Sequence, residues 1–468
     1  MATNPWGAAL EGPHRACSLA LAILISADAF AVGTSSVAPD SPPPGAILLE
    51  DAAEDAFAPS IIESVEVVGN EHTAREVVLS RLYVATGDLL EEPRLEQSRL
   101  RLLGTGFFES VELSLRRGSR KGRVVLLVEV VERNTITIDG LYLGASSVTP
   151  FFAGLGIHES NFLGQGVSAG AAFVAGRDRF AIDAHLFVPE LLGAISLSAS
   201  GLLVEGQETL DPTDPEELLL SYSRAGGRIG LGVRAGPAQQ IAVSYRLESV
   251  VADRLPNIDP KPLRSAPSIQ FDESILSTLS VAYERDTRDD PFVARQGSRF
   301  LLAVETGTRL LGSSYEFSRY TASAEIAFAV WREHSLRFRG FGGLVQGNTP
   351  FFNQFLLSDY AFFAFGRDAL PRALGLNFSA FNDYDDLIGS VGVEYAIPVV
   401  SGDGWPYRGY FYLGADLSAT ASLEETQDDP TGRGFGARFP LSFDLGLRFD
   451  TTIGYFTIST SYLLDVVF

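Results

Sequence analysis

Asp183 and His185 stand two residues apart in Phe180-Ala-Ile-Asp-Ala-His-Leu-Phe-Val188, a segment of alternating character. Side chains two apart in a strand share a face, so the carboxylate is placed to orient the imidazole as a general base. No serine elbow or second acidic pair accompanies them, so the pair reads first as the polar lining of a wall. A second constellation is Tyr283-Glu-Arg-Asp286-Thr-Arg288-Asp289-Asp290-Pro291-Phe292. Its acids and arginines offer local ion pairs that hold a solvated turn. His14, His72, His158, His185 and His334 have no metal-ligand spacing, and Cys17 is the only cysteine. Disulfides are thereby excluded, as is a multi-thiolate metal site. The glycine-rich segments lack phosphate-loop spacing, so no cofactor is expected.

Composition narrows what positions these residues. The chain has 468 residues, room for two or three domains. Hydrophobic residues make up 46% of it, yet no apolar run after residue 30 approaches the ~18 of a membrane helix. Such a chain either stays in water or crosses a membrane as strands. Its 46 glycines, 32 phenylalanines and 15 tyrosines suit a barrel of tight turns and aromatic girdles. A net charge of -22 argues against nucleic acid as a partner.

Along the chain, residues 1–31 have the pattern of a secretory signal. Arg15 precedes an apolar stretch, Ala16 to Ile25, and small residues follow at Ala27, Ala29 and Ala31. Residues 32–60, with Pro39, Pro42, Pro43 and Pro44 and then Glu50, Asp51, Glu54 and Asp55, form a disordered acidic and proline-rich linker. Residues 61–133 form a compact α+β unit in the order β-α-α-β-β. Ile61–Val68 is its first strand. Thr73 and Glu76 are spaced as a capping box, opening a helix that Gly87 stops. Pro93 suits the first turn of a second helix, on which Leu95, Leu102 and Leu103 share a face. Strands follow at 107–115 and 123–131. From residue 134 to 468 the pattern is of many strands and turns, about 16 strands (14–16) at roughly 20 residues each, the range of closed membrane barrels. Polar stretches at 205–217, 252–268 and 424–430 read as loops on one side.

Two resemblances rest on these residues. The unit at 61–133, with Thr86-Gly-Asp-Leu-Leu90 and Gly106-Phe-Phe108 after the second helix, resembles a polypeptide-transport-associated (POTRA) domain. Asn161-Phe-Leu-Gly-Gln-Gly166 and the Tyr283–Phe292 stretch, with Gly297 and Phe300 behind it, are similar to turns of the BamA/TamA superfamily of outer-membrane assembly barrels. Within the second, the positions that match are Asp286, Arg288, Asp289, Asp290, Pro291 and Phe292; Ala294 stands where a proline is frequent. The superfamily places an Arg-Gly-aromatic tripeptide on a loop folded into the barrel. Arg339-Gly340-Phe341 and Arg408-Gly409-Tyr410 match as strings but lie in strand-like segments. The position ahead of 389–398 holds Phe365-Gly366-Arg367 instead, with Arg367 the candidate for the inward arginine. The last segment, Phe456 to Phe468, alternates and ends on an aromatic residue, with Tyr462, Leu464, Val466 and Phe468 on one face. That end resembles the C-terminal signal of outer-membrane barrels.

The resemblance implies an α+β POTRA domain in the periplasm, followed by a transmembrane antiparallel β-barrel in the bacterial outer membrane. It also implies a non-enzymatic role in inserting or translocating other polypeptides. The expected partners are outer-membrane lipids, unfolded outer-membrane or secreted clients, and accessory periplasmic proteins. Strand addition to the POTRA edge near Glu109–Leu115, and opening of a weak seam between the first strand (135–144) and the last (456–468), are the expected mechanism. The alternatives are a passive porin-like or structural barrel, and a barrel hydrolase built on His185.

Overall fold

The computed structural model of the protein describes residues 25–26, 60–103, 105–144, 151–177, 179–209, 219–236, 238–253, 268–289, 293–356, 384–401, 406, 408–421, 439–451 and 454–466. A two-residue strand, β1 (Ile25–Ser26), comes first. Then follow β2 (Ile61–Val68), α1 (Arg75–Ser80), α2 (Glu92–Leu103), β3 (Phe108–Arg117) and β4 (Arg123–Glu132). This is the expected β-α-α-β-β order. The sheet runs β2-β4-β3, with β4 parallel to β2 and antiparallel to β3. The helices supply Val78 and Leu102, which are buried with Ile62, Leu126 and Val128, while Leu95 and Leu103 pack at the margin. Pro93 falls in the first turn of α2, where its missing N–H costs nothing.

The capping box does not form. Helix α1 begins after Ala74 with no side-chain cap, and it ends at Ser80, well short of Gly87. Thr73 is used otherwise: its backbone N–H donates to Glu132 Oε1 at 2.6 Å, and its hydroxyl accepts from Asn161 Nδ2 at 2.9 Å. A long-range carboxylate and a side chain from outside the unit outbid the local motif.

Fifteen long strands follow: β5 (Ile136–Gly144), β6 (Phe152–Phe162), β7 (Val167–Gly176), β8 (Arg179–Leu192), β9 (Ile195–Thr209), β10 (Leu219–Gly236), β11 (Gln239–Ala252), β12 (Asp272–Asp286), β13 (Gly297–Gly307), β14 (Glu316–Ala329), β15 (Ser335–Asn348), β18 (Leu387–Ser401), β19 (Arg408–Ala421), β20 (Phe439–Thr451) and β21 (Gly454–Val466). Between β15 and β18, β16 (Phe355–Leu356) pairs with β17 (Tyr384–Asp385). Each long strand pairs antiparallel with the next, in chain order. Their lengths of 9 to 18 residues meet the ~9–11 that a tilted strand needs to cross a bilayer. Outward positions such as Ile182, Ile229, Leu231, Val243, Leu302 and Val391 are exposed and apolar, while Arg224, Glu248, Glu305 and Glu394 on inward positions are buried. An apolar outer face around a polar interior is the inverse of a water-soluble core.

Of the polar stretches expected as loops, residues 205–209 belong to β9 and Ala252 to β11; most of the rest, including all of 424–430, lies outside the described residues. Fifteen is an odd number, so β5 and β21 run in the same direction. Among the described residues, the strand paired with the outer edge of β5 is β1, antiparallel, with Ile25 opposite Leu141 and Ser26 opposite Gly140. Cα atoms of β21 come within 8 Å of both β1 and β5. The expected ladder between first and last strand is therefore absent among the described residues, because an antiparallel closure needs strands of opposite direction.

Residues 60–133 carry their own core and should unfold cooperatively as an isolated fragment. Leu102→Ala should cost that fragment about 2–5 kcal/mol, read by urea denaturation. A broad, non-cooperative transition of the unsubstituted fragment would show that the unit depends on the barrel.

Candidate functional site

The glycine-bearing turn from Asn161 to Gly166 is where the α+β unit meets the barrel. Asn161 accepts from Gly166 N at 2.7 Å through Oδ1 and donates through Nδ2 to Thr73. Gly164 O accepts from Ala74 N at 2.8 Å. Gly164 holds φ of +69°, and a Cβ there would stand 1.9 Å from His72 O, so only glycine permits the approach. Nearby, Glu190 on β8 receives three guanidiniums: Arg81 at 3.0 Å and Arg101 at 3.4 Å from the α+β unit, and Arg234 at 3.2 Å from β10. Glu132, at the end of β4, accepts from His72 N at 2.9 Å as well as from Thr73 N. Burial opposes its ionisation, but the Thr73 and His72 donors outweigh that and hold the carboxyl at about 2, below its ordinary 4.5.

The Asp/Arg motif lies at the same end, in the link from β12 to β13. Asp286 takes Arg288 at 2.8 Å, and Arg288 reaches Glu325 on β14 at 3.2 Å. Asp289 Oδ1 accepts from the backbone of Arg295 and Gln296 at 2.9 and 3.0 Å. The motif thus staples three strands. Asp290, Pro291 and Phe292 lie outside the described residues, as do Phe365, Gly366, Arg367 and Phe468. The backbone of Tyr462, Leu464 and Val466 is in β21, paired with Phe443, Leu441 and Phe439.

The interior is layered. Towards the end away from the α+β unit, the roots of the β15–β18 link turn inward. Phe351, Phe352 and Phe355 are buried, and Phe351 and Phe352 pack with Tyr222, Val250, Leu276, Tyr315 and Phe317. Below this apolar layer Arg224 pairs with Glu248 at 2.8 Å and stacks on the Phe352 ring at 3.8 Å. Arg246 joins Glu248 to Glu305 and donates to Asn353 Oδ1 at 3.1 Å. On the opposite arc Glu394 takes Arg337 at 2.6 Å and Arg448 at 2.7 Å, and Arg339 pairs with Asp416 at 2.9 Å. The two Arg-Gly-aromatic strings are strand residues of β15 and β19, as their alternation suggested.

Asp183 and His185 do face inward together, Oδ1 to Nδ1 at 3.5 Å. Two further residues, which their positions in the chain did not reveal, continue the line. His185 Nε2 is 3.4 Å from His158 Nδ1, and His158 Nε2 is 3.1 Å from Ser168 Oγ. Ser168, His158 and His185 come from three adjacent strands, so only strand register brings them together. Gly170 makes room, since a Cβ there would stand 2.5 Å from His185. These contacts make a polar line across the inner wall.

Residues 161–462 match the Omp85 superfamily domain, and residues 60–133 match the surface antigen variable number repeat, the POTRA model. Over 301 residues the chain is 27% identical to outer membrane protein assembly factor BamA of Nitratidesulfovibrio vulgaris, covering 63% of this chain and 36% of that protein. The chain thus spans little more than a third of that relative. BamA from Haemophilus ducreyi lacking POTRA domains 1-3 shares the fold with a TM-score of 0.55 at 15% identity, over 87% of this chain and 81% of that one. CdiB from Escherichia coli also gives 0.55, at 12% identity, over 86% and 77%.

Two outcomes follow from the joint. Glu190→Gln removes the charge that three arginines share, a loss of about 1–3 kcal/mol. Spin labels on Glu66 and on a barrel strand should then show a broadened distance distribution; an unchanged narrow one would mean that Glu190 does not hold the joint. Glu132 has a depressed folded pKa, so its contribution is full above its ordinary 4.5 and is lost as pH falls towards about 2. The stability gap between the 60–133 fragment and its Glu132→Gln variant should therefore be widest at pH 6 and close by pH 2, in urea titrations at each pH.

Proposed function

From the premise that the chain belongs to the Omp85 superfamily, we propose that it assists insertion or translocation of other polypeptides by strand addition and lateral opening of its seam. It is an outer-membrane β-barrel with its POTRA domain in the periplasm. Unfolded outer-membrane or secreted polypeptides are the clients of this reading, with outer-membrane lipids around the barrel and accessory periplasmic proteins at the POTRA domain. The work is non-covalent and needs no enzymatic step.

The observation that carries the reading is the seam. The long strands on either side of it have no ladder with each other among the described residues, and β5 has two residues paired on its outer edge. Unpaired strand edges are templates for another strand, and in lipid an unpaired backbone costs several kcal/mol per group. A client strand antiparallel to both β5 and β21 meets that need. At the periplasmic end, β3 is an edge of the POTRA sheet, open to an extended client. The passive porin is disfavoured by the inward roots of the β15–β18 link, where Phe351 and Phe352 are buried against Tyr222 and Tyr315.

The test is a disulfide across the seam, from Leu141→Cys to a cysteine at one of residues 458–462 found by a crosslinking scan. Oxidised protein should stay folded and inserted while client insertion into proteoliposomes falls at least tenfold, and reduction should restore it. Client insertion at the unlocked rate by fully crosslinked protein would refute lateral opening.

A further inference from the structure

The β14–β15 turn carries side chains that neither the inner wall nor the seam uses. In the sheet, β14 is the eighth strand after β6, so the two run in the same direction. The turn therefore lies at the end of the barrel that meets the POTRA domain. Phe328 and Val330 are exposed, Trp331 is 59% exposed, and Phe338 on β15 packs edge-on against Phe328 with ring centres 6.2 Å apart. The apolar outer face thus runs out to the turn itself. Polar groups begin there. His334 Nδ1 lies 2.8 Å from the Tyr395 hydroxyl, and its ring is 5.2 Å from that of Trp331. Tryptophan and tyrosine, apolar in body and polar at one end, suit a membrane–water boundary.

Arg332 sits at φ of +51°, a region that few non-glycine residues adopt. Its guanidinium lies over the Trp331 ring at 4.8 Å, and its carbonyl accepts from Arg295 Nη2 at 3.1 Å. The turn is thus fixed from the neighbouring β12–β13 link. Neither arginine has an ion pair among the described residues. Arg295 Nε is buried and has no hydrogen-bond partner among them. Two acids share this rim. Glu333 is exposed and has no ion pair among the described residues. Asp289 uses its Oδ1 on the backbone N–H groups of Arg295 and Gln296. Charges of both signs therefore stand together at one boundary.

We propose that this turn binds the headgroup of a phospholipid that carries a primary ammonium, phosphatidylethanolamine, in the periplasmic leaflet. The phosphate takes the guanidiniums of Arg332 and Arg295, whose forked donors suit it. The ammonium takes Glu333, and the acyl chains lie along Phe328, Val330 and Phe338. Stacking on Trp331 holds the Arg332 cation at headgroup depth. An anionic headgroup fits less well, because Glu333 and Asp289 repel it. A sugar headgroup leaves both arginines without a counter-ion. The inference rests on the placement of the barrel in the outer membrane and is independent of lateral opening.

The test uses the full chain, whose tryptophans are Trp6, Trp331 and Trp405; Trp6→Phe with Trp405→Phe leaves Trp331 as the reporter. It is reconstituted in vesicles of digalactosyldiacylglycerol that contain a minor fraction of one lipid with brominated chains. That lipid is phosphatidylethanolamine, phosphatidylglycerol or the galactolipid itself. Quenching of Trp331 by the ethanolamine lipid should exceed quenching by the galactolipid at least twofold, and should also exceed quenching by the glycerol lipid. Arg332→Gln and Arg295→Gln should each abolish the excess over the galactolipid, while Arg309→Gln, in the link at the opposite end, should leave it intact. Glu333→Gln should bring phosphatidylglycerol level with phosphatidylethanolamine or ahead of it. Each variant is compared with itself across the three lipids, so a displaced Trp331 alters all arms alike, and circular dichroism confirms the strand content. Equal quenching by all three lipids in the Trp331 reporter chain, or phosphatidylglycerol ahead of phosphatidylethanolamine there, overturns the proposal. Client insertion is measured separately, so a failure of lateral opening leaves the lipid ranking standing.

Discussion

Inside a bilayer no water is available to satisfy a backbone N–H or C=O, and that constraint organises the barrel. Each of the fifteen long strands from β5 to β21 meets it through the neighbour that follows or precedes it in the chain. Local pairing in sequence order avoids crossovers and leaves the backbone problem at a single place. There the odd strand count matters. First and last strands that run the same way cannot extend the antiparallel pattern to each other. A strand of opposite direction between them can. Among the described residues, the seam is thus a consequence of strand number.

With the backbone satisfied by the ladder, the side chains divide into two environments. Outside, exposed isoleucine, leucine and valine meet lipid. Inside, the arginines and acids are too buried to be solvated singly. Desolvation of each charge would be costly alone, so they occur in connected groups: Glu394 between Arg337 and Arg448, and Glu248 between Arg224 and Arg246. Such networks contribute little net stability compared with apolar packing, yet breaking one member strands its partners. They fix strand register, because a shift of one residue would turn every one of these charges into the lipid.

Much of this architecture is legible in the chain. Period-two alternation marks the strands and their faces, and it correctly assigns Arg339-Gly340-Phe341 and Arg408-Gly409-Tyr410 to strands and not to the loop. The α+β order at 61–133 follows from turn residues and helical spacing. What alternation cannot reveal is anything that depends on a partner far along the chain. Thr73 looks like a helix cap by spacing, but the three-dimensional structure gives it Glu132 and Asn161 instead. His158 and Ser168 carry no local mark; register alone aligns them with His185. Parity is illegible for a similar reason, since an uncertainty of one strand in some fifteen reverses the direction of the last.

The turn Asn161–Gly166 joins these levels. Read in sequence it is a hairpin link with helpful glycines. In the folded chain its glycine is demanded by His72 O, and its asparagine holds its own turn and Thr73 together. A barrel turn and a soluble domain therefore constrain each other's residues, and Glu190 repeats the arrangement one hairpin further on with ion pairs. Hydrogen bonds at the first point fix position, because their geometry is narrow. Ion pairs at the second tolerate displacement, because Coulomb attraction falls slowly with distance. The joint thus combines hydrogen bonds of narrow geometry at Asn161 and Gly164 with a charge cluster at Glu190. Since β8, which carries Glu190, lies only three strands from β5 in the sheet, these contacts tie the POTRA domain to the β5 side of the seam.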